Sequence, residues 1–476
     1  MIVSKIQREI LKEVSLLSTL RRGLSNNVED IFNFHGDRET LGFKDRYRVL
    51  DEKDYERFIS SRSSKREPAM TRSLTSLSYK IGKQMISLAE GMPNEDIFPF
   101  SHLEIKTKSG GKIILKDKEL AKALQYVPSQ GLPELLAILR KFQEDLHRPP
   151  PLDRDVLVTN GSQHGIYQCV DMLVNPGDPV LTTEYTFTGF HSALRPYDPE
   201  VLTIAEDEDG LVPETLEALL SDRVSKGLKM PRILYLIPTG NNPTGTVIPL
   251  QRRKQIYELA CRYDFIIIED DPYAFLNYSD EVTPSFLSLD ECGRVVRLDS
   301  VSKVVSAGLR GAWLTAPTAL LRRAELHSQA ELLHSCTLSQ SLLLRLLSQR
   351  GELAAHLHSA RSLYAARCGA LGAALGRVAR DAQAHYMQPR AGLFYWLRLS
   401  GVPDVYNMVF NTALEKGLML CPGQAFQYDT SAPSQHLRLT FSRIRPEDME
   451  HAVDLLVDVI QTEQKLNQRE RVATEG

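Results

Sequence analysis

The sequence predicts an α/β sandwich with a smaller α+β domain at its C-terminal end. Three observations carry that prediction. Near-continuous apolar runs such as Arg232–Ile237 (RILYLI) and Phe265–Glu269 (FIIIE) have the pattern of strands buried on both faces. Segments with helical spacing lie between them, the alternation of a mostly parallel sheet covered by helices. After about Leu320 the text turns helical and rich in Ala, Leu and Arg, then ends in short strand-like runs and a final helix.

Taken in order, Met1 to Asn27 repeats apolar residues at helical spacing (Ile6, Ile10, Leu11, Val14, Leu17, Leu20) among basic ones, interrupted by Glu9 and Glu13. Two readings fit: a mitochondrial presequence, and a solvated or docking helix of a cytoplasmic protein. Asn27–Asp54 is polar and reads as a linker, so residues 1–54 form an N-terminal extension. An arm over 55–95 includes the irregular basic stretch Ser61–Pro68. A large domain over 96–345 holds strands at Asp155–Thr159, Pro179–Thr183, Arg232–Ile237, Phe265–Glu269, Val295–Leu298 and Gly311–Ala316, with helices at Ser162–Val174 and Gln251–Tyr263. A small domain over 346–476 holds strands at Gly392–Leu399, Gly417–Leu420 and His436–Phe441, then a helix from Pro446 to about Leu466.

Composition narrows the function classes. A net charge of -3 over 476 residues gives no basis for electrostatic capture of nucleic acid or anionic membrane. The six cysteines form no CxxC pair, so neither a metal site nor a redox motif is indicated, and scattered thiols fit a reducing compartment. No apolar run reaches the roughly 20 residues that span a bilayer.

The chemistry gathers after the strands, where open α/β sheets bind ligands. Ser300-Val301-Ser302-Lys303, with Arg310 beyond, sets two hydroxyls, an amine and a guanidinium at the end of a buried strand. Ser300, Ser302 and Arg310 are donors for a phosphate dianion, which leaves Lys303 to form an imine with a cofactor carbonyl. Thr159–Gly165 offers glycines and the N-terminus of a helix to a phosphate, although a plain glycine turn capped by Ser162 has the same residues. Thr239–Gly245 holds Asn242 extended before Pro243, with its amide free for a phenolate or carboxylate. Glu269-Asp270-Asp271-Pro272-Tyr273 ends an apolar strand in acids. Asp270 there suits a pyridine nitrogen, and Asp271 suits a helix start.

In this order the four loops resemble the fold-type I pyridoxal-phosphate aminotransferases. The chain most resembles the kynurenine/alpha-aminoadipate aminotransferase group, from about Tyr55 to Ile460. Met85–Asn94, Ala123–Ser129, Gly240–Gly245, Asp270–Tyr273 and Ser300–Arg310 carry the likeness. The resemblance implies pyridoxal 5'-phosphate as cofactor, with Lys303 as its covalent anchor and proton shuttle and Asp270 on the pyridine nitrogen. It implies Tyr273 and Asn242 on the phenolic oxygen, and Ser162, Gln163, Ser300, Ser302 and Arg310 on the phosphate. Arg438, in His436–Phe441, matches the arginine that binds the substrate α-carboxylate. Tyr126 matches a tyrosine that crosses from a partner subunit, which implies a homodimer. Arg72 and Gly91 match a mobile N-terminal substrate-binding segment.

Two positions depart from that pattern. Phe187 stands where a tyrosine commonly covers the cofactor ring, and keeps the stacking face without the hydroxyl. Glu90 stands where glycine is common beside the substrate, and its carboxylate would disfavour the second acid group of 2-aminoadipate. The expected activity is transamination from kynurenine, 2-aminoadipate or aromatic amino acids to 2-oxoglutarate, giving a 2-oxo acid and glutamate. A lyase using the same cofactor and a non-catalytic aminotransferase-like regulator are the alternatives. No helix-turn-helix pattern precedes the enzyme-like region.

Overall fold

The computed structural model describes residues 41–81, 88–89, 91–279 and 283–475. The expected helix over Met1–Asn27 and the Glu90 departure lie outside those residues.

Seven strands form the main sheet: β1 Arg154–Asn160, β2 Pro179–Thr183, β3 Glu200–Ile204, β4 Ile233–Leu236, β5 Ile266–Asp270, β6 Val295–Ser300 and β7 Gly311–Pro317. Their order is β1-β7-β6-β5-β4-β2-β3. The pairs from β6 to β3 are parallel, whereas β7 runs antiparallel to both β6 and β1. Every residue of β2, β4, β5, β6 and β7 is buried. Apolar runs without alternation therefore belong to strands covered on both faces. The six strands expected from the sequence are present to within a few residues. Glu200–Ile204 was not expected, because its alternating exposure at the sheet edge gives it only partial apolar character.

A second, antiparallel sheet has the order β8-β9-β11-β10, with β8 Ala384–Tyr386, β9 Phe394–Leu399, β10 Cys421–Pro422 and β11 His436–Thr440. The expected strand at Gly417–Leu420 is corrected. Gly417 lies in a turn, Leu418–Leu420 have no regular structure, and the pairing falls on Cys421 and Pro422, opposite Arg438 and Leu437. Gly417 adopts φ +76°, which ends the preceding helical segment and delays the strand. Five helices bear on the argument: α1 Met70–Ile81, α2 Ser162–Leu173, α3 Thr188–Leu194, α4 Arg350–Asp381 and α5 Met449–Glu475.

The linker reading of Asn27–Asp54 is also corrected for its described part. The backbone N–H groups of Leu41, Phe43 and Lys44 donate to the Glu291 carboxylate at 2.7, 2.8 and 3.3 Å. Phe43 is buried against Tyr257 with ring centroids 5.0 Å apart, and Leu50 N–H donates to the Cys292 carbonyl. One aromatic anchor and one buried carboxylate dock a segment whose composition is otherwise polar.

Both arginines of the basic stretch Ser61–Pro68 reach one buried acid. Asp171, fully buried on α2, pairs with Arg62 at 3.0 Å and Arg66 at 2.9 Å, and accepts from the Tyr197 hydroxyl. His327 Nδ1 lies 3.1 Å from the same carboxylate, and its Nε2 lies 2.9 Å from Ser63 Oγ. Burial acts upward on the Asp171 carboxyl, but hydrogen bonds from His327, Tyr197 and Arg66 outweigh it and hold the group below the usual carboxylate range.

Candidate active site

The site is built where β1, β4, β5 and β6 end. Gly161 follows β1 with φ +82°, and a Cβ there would lie 2.0 Å from Arg310 Nη2. Glycine is needed both for the turn and for the guanidinium to lie against it. Ser162 opens α2, so the unpaired N–H groups of a helix start face the same place. Arg310 donates to the carbonyls of Ala307 and Asn160, each at 3.3 Å. Ser300 Oγ donates to Ser302 Oγ at 2.9 Å and accepts from Ser302 N–H at 3.1 Å. The phosphate-type donors foreseen from two distant loops thus flank one cradle.

Gln163 and Phe187 meet beside it. Gln163 Nε2 donates to the Gly189 carbonyl at 2.8 Å. A Cβ on Gly189 would lie 2.1 Å from Gln163 Oε1 and 2.4 Å from Phe187 Cε1. Phe187 is the N-cap residue of α3 and is half-buried.

Asp270 ends β5 in register with Leu298 of β6. The Tyr235 hydroxyl donates to its Oδ2 at 2.7 Å, while Oδ1 is buried without a partner. Burial pushes the Asp270 carboxyl up to about 7. The Tyr235 hydrogen bond opposes that rise, and the charges of Asp271 and Asp299 add to it. An acid so placed is unsatisfied by the protein and suited to a cationic donor. Asp271 takes a different path from the helix start expected of it: it pairs with buried Arg297 at 3.1 Å. Glu269 and Asp299 share that guanidinium at 3.1 and 2.8 Å.

Lys303 lies beyond β6, exposed as a residue but with its amine partly withdrawn from solvent inside the cleft. Burial lowers its amine, Asp270 raises it, and Arg438 and Arg310 lower it further, for a net downward shift. Those neighbours bring the four loops into one cleft. Tyr273 is buried, its hydroxyl pushed up first by burial and then by Asp270, and moderated by Arg438. Arg438 Nη1 donates to Asn242 Oδ1 at 2.9 Å. Its guanidinium lies over Phe394 at 4.3 Å and over Phe426 at 4.8 Å, and burial between these rings lowers it.

The N-terminal candidates sit elsewhere. Arg72 is buried, donating to Ser129 Oγ at 3.1 Å and to the Val127 carbonyl. Tyr126, on the same loop, is exposed, with its ring edge against His334. Gly91 is exposed, with nothing within 4 Å of a Cβ built on it. Sequence reasoning missed Tyr235, Phe394, Phe426 and Arg297. A tyrosine in an otherwise apolar strand was the available signal, since a buried phenol needs a partner.

The sequence profile of the class I and II aminotransferases matches residues 84–456. The chain belongs to that family. It is 39% identical over 421 residues to the mitochondrial kynurenine/alpha-aminoadipate aminotransferase of Mus musculus, a match spanning 86% of this chain and 99% of that relative. The crystal structure of the aminotransferase Aro8 from Candida albicans superposes with a TM-score of 0.78 at 28% identity, covering 88% of this chain and 100% of that one. The kynurenine aminotransferase of Pyrococcus horikoshii, solved in complex with PMP, with KYN as substrate and KYA as product, gives 0.70 at 29% identity and covers 86% and 98%.

The aminotransferase uses pyridoxal 5'-phosphate, and the cleft fits that cofactor. The unpartnered Asp270 oxygen matches a protonated ring nitrogen, the glycine–arginine cradle matches a phosphate, and Lys303 is an amine with a lowered affinity for its proton. Among the described residues no group of three or more His, Cys, Asp or Glu side chains is arranged to hold a metal ion, and no helix is long and apolar enough to cross a membrane.

Proposed function

We propose that this aminotransferase takes the amino group from kynurenine, 2-aminoadipate or an aromatic amino acid and delivers it to 2-oxoglutarate, giving a 2-oxo acid and glutamate. The observation that carries the reading is one cleft that holds a buried Asp270 with an unpartnered oxygen, Arg438 fixed by Asn242 and Arg310 lying against Gly161, the charged groups that act on the Lys303 amine. The relatives named for kynurenine and 2-aminoadipate support the choice of donor.

Pyridoxal phosphate supplies an aldehyde for an amine and a ring that accepts the electrons of the substrate α-carbon. The protein does the rest. Arg438 receives the substrate α-carboxylate bidentately, and Asn242 and the two phenyl rings fix its guanidinium. Lys303, with its proton affinity lowered, takes the α-proton as general base and returns it as general acid. Asp270 would hold the ring nitrogen in its protonated form. Ser162, Gln163, Ser300, Ser302 and Arg310 would hold the phosphate, Tyr273 and Asn242 the phenolic oxygen, and Phe187 one face of the ring.

The active unit is a homodimer in which exposed Tyr126 serves the partner's site. Gly91 and Arg72 belong to the substrate side, with Arg72 holding the loop next to Tyr126. The compartment is the mitochondrial matrix, by likeness to the mitochondrial relative.

Two measurements test the reading. In purified enzyme, Lys303→Ala abolishes turnover and the borohydride-trappable visible absorption, and a parental rate in that variant would sink the mechanism. A donor panel with 2-oxoglutarate, read by mass spectrometry, yields glutamate from the named donors. Glutamate from none of them, with other products from the same donors, would instead favour a lyase.

A further inference from the structure

One buried group has no task in that mechanism. Tyr235 lies in β4 among Ile233, Leu234 and Leu236 and is fully buried. Its ring lies flat against Phe190, with centroids 4.0 Å apart and planes 7° from parallel. Its hydroxyl reaches across to β5 and donates to Asp270 Oδ2 at 2.7 Å, while Oδ1 of the same carboxylate is unpartnered. Phe190 belongs to α3, which begins at the half-buried Phe187. Stack and hydrogen bond therefore form a continuous chain from Phe187 through α3 and Tyr235 to Asp270.

Packing alone does not require the hydroxyl. A phenylalanine would fill β4 and stack on Phe190 equally well, without the cost of a buried polar atom. The hydroxyl acts on the acid. A buried carboxylate can turn about its last bond and exchange its oxygens, and an O–H donor fixed by a stacked ring stops that turn. The same donor favours the ionised acid over the neutral one, which burial would otherwise favour.

We propose that Tyr235 is a positioning residue for transamination: its O–H holds one oxygen of Asp270 so that the other is presented, ionised, to the ring nitrogen of pyridoxal phosphate, and its stack on Phe190 couples that acid to α3 and Phe187. This rests on the role given to Asp270 above.

The test is a cycle of Tyr235→Phe, Asp270→Asn and the double variant, in the full-length enzyme. Tyr235→Phe keeps the ring and the stack. In the holoenzyme kcat falls about tenfold to hundredfold, with KM within about twofold, the loss expected for a hydrogen bond to a charged group. The apoenzyme titrated with pyridoxal phosphate shows about tenfold weaker binding, again the scale of one such bond. With 1-deaza-pyridoxal phosphate, whose ring nitrogen is replaced by carbon, the parent and Tyr235→Phe bind alike. In the Asp270→Asn background, adding Tyr235→Phe changes neither quantity, the signature of two residues acting as one unit. Phe190→Leu, which loosens the ring and keeps the hydroxyl, produces a smaller loss of the same kind. Parental kcat and affinity in Tyr235→Phe would overturn the proposal, as would an equal loss with the deaza analogue or without the Asp270 carboxylate. If Asp270→Asn is itself parental in kcat and affinity, the role of Asp270 has failed and the role of Tyr235 fails with it.

Discussion

Asp270 shows how far single residues could be read. An acid closing an apolar strand must have a partner, and that alone marked it. Which oxygen is free, and what holds the other, depended on Tyr235, 35 residues away in sequence on a neighbouring strand. The free acid has a measurable consequence. Its folded value near 7 exceeds the ordinary 3.8, so the folded apoenzyme binds that proton more tightly than the unfolded chain. The stability so conferred is complete below about pH 4 and is lost as pH rises through 7. This group therefore lowers the apoenzyme's thermal midpoint as pH rises from about 4 to 7, and Asp270→Asn makes the fall across that range shallower. Calorimetry of the apoenzyme at several pH values checks this, and a fall that stays as steep in the variant would refute it.

Among the elements, the buried parallel strands were legible because they carry unbroken apolar runs, and the turn against which Arg310 lies because glycine and serine open a helix there. The small sheet was less legible. A two-residue strand such as β10 carries no periodicity, and its place follows from pairing with β11. The same limit hid Arg297, which reads as a polar break in β6 until Glu269 of β5, Asp271 just beyond that strand and Asp299 of β6 surround it. Arg297→Met leaves Glu269, Asp271 and Asp299 buried together without their cation. A loss of about 3–5 kcal/mol is expected. It is partly recovered as pH falls, because Asp271 and Asp299 already favour their protons in the folded state. Denaturant titrations at two pH values measure both effects. At the cradle, Gly161→Ala forces a methyl into the Arg310 guanidinium at a backbone angle unfavourable to alanine. Affinity for pyridoxal phosphate drops at least about tenfold, one charge-assisted contact's worth, in a protein that still folds. Absorbance titration of the apoenzyme measures it.

For the whole molecule, the N-terminal boundary was the least legible feature. The contacts that dock residues 41–50 join positions about 250 residues apart, and no local pattern announces them. Removing the anchor with Phe43→Ala costs roughly 3–5 kcal/mol, as for other buried phenylalanines. It leaves kcat unchanged, because the segment packs around Glu291 and Tyr257 and not at the cleft. Thermal melting and steady-state assays on one preparation separate the two quantities.

The loop that carries Asn242 and the turn that enters β9 touch main chain to main chain. A Cβ on Gly240 would lie 2.6 Å from Gly392 N, and a Cβ on Gly392 would lie 2.9 Å from the Gly240 carbonyl oxygen. With no side chain between them, their spacing is set by atomic radii and not by any rotamer. The two loops can come no closer than they are. A side chain at either glycine would push the loop that carries Asn242 away from the sheet that carries Arg438, the residue that donates to its side-chain oxygen.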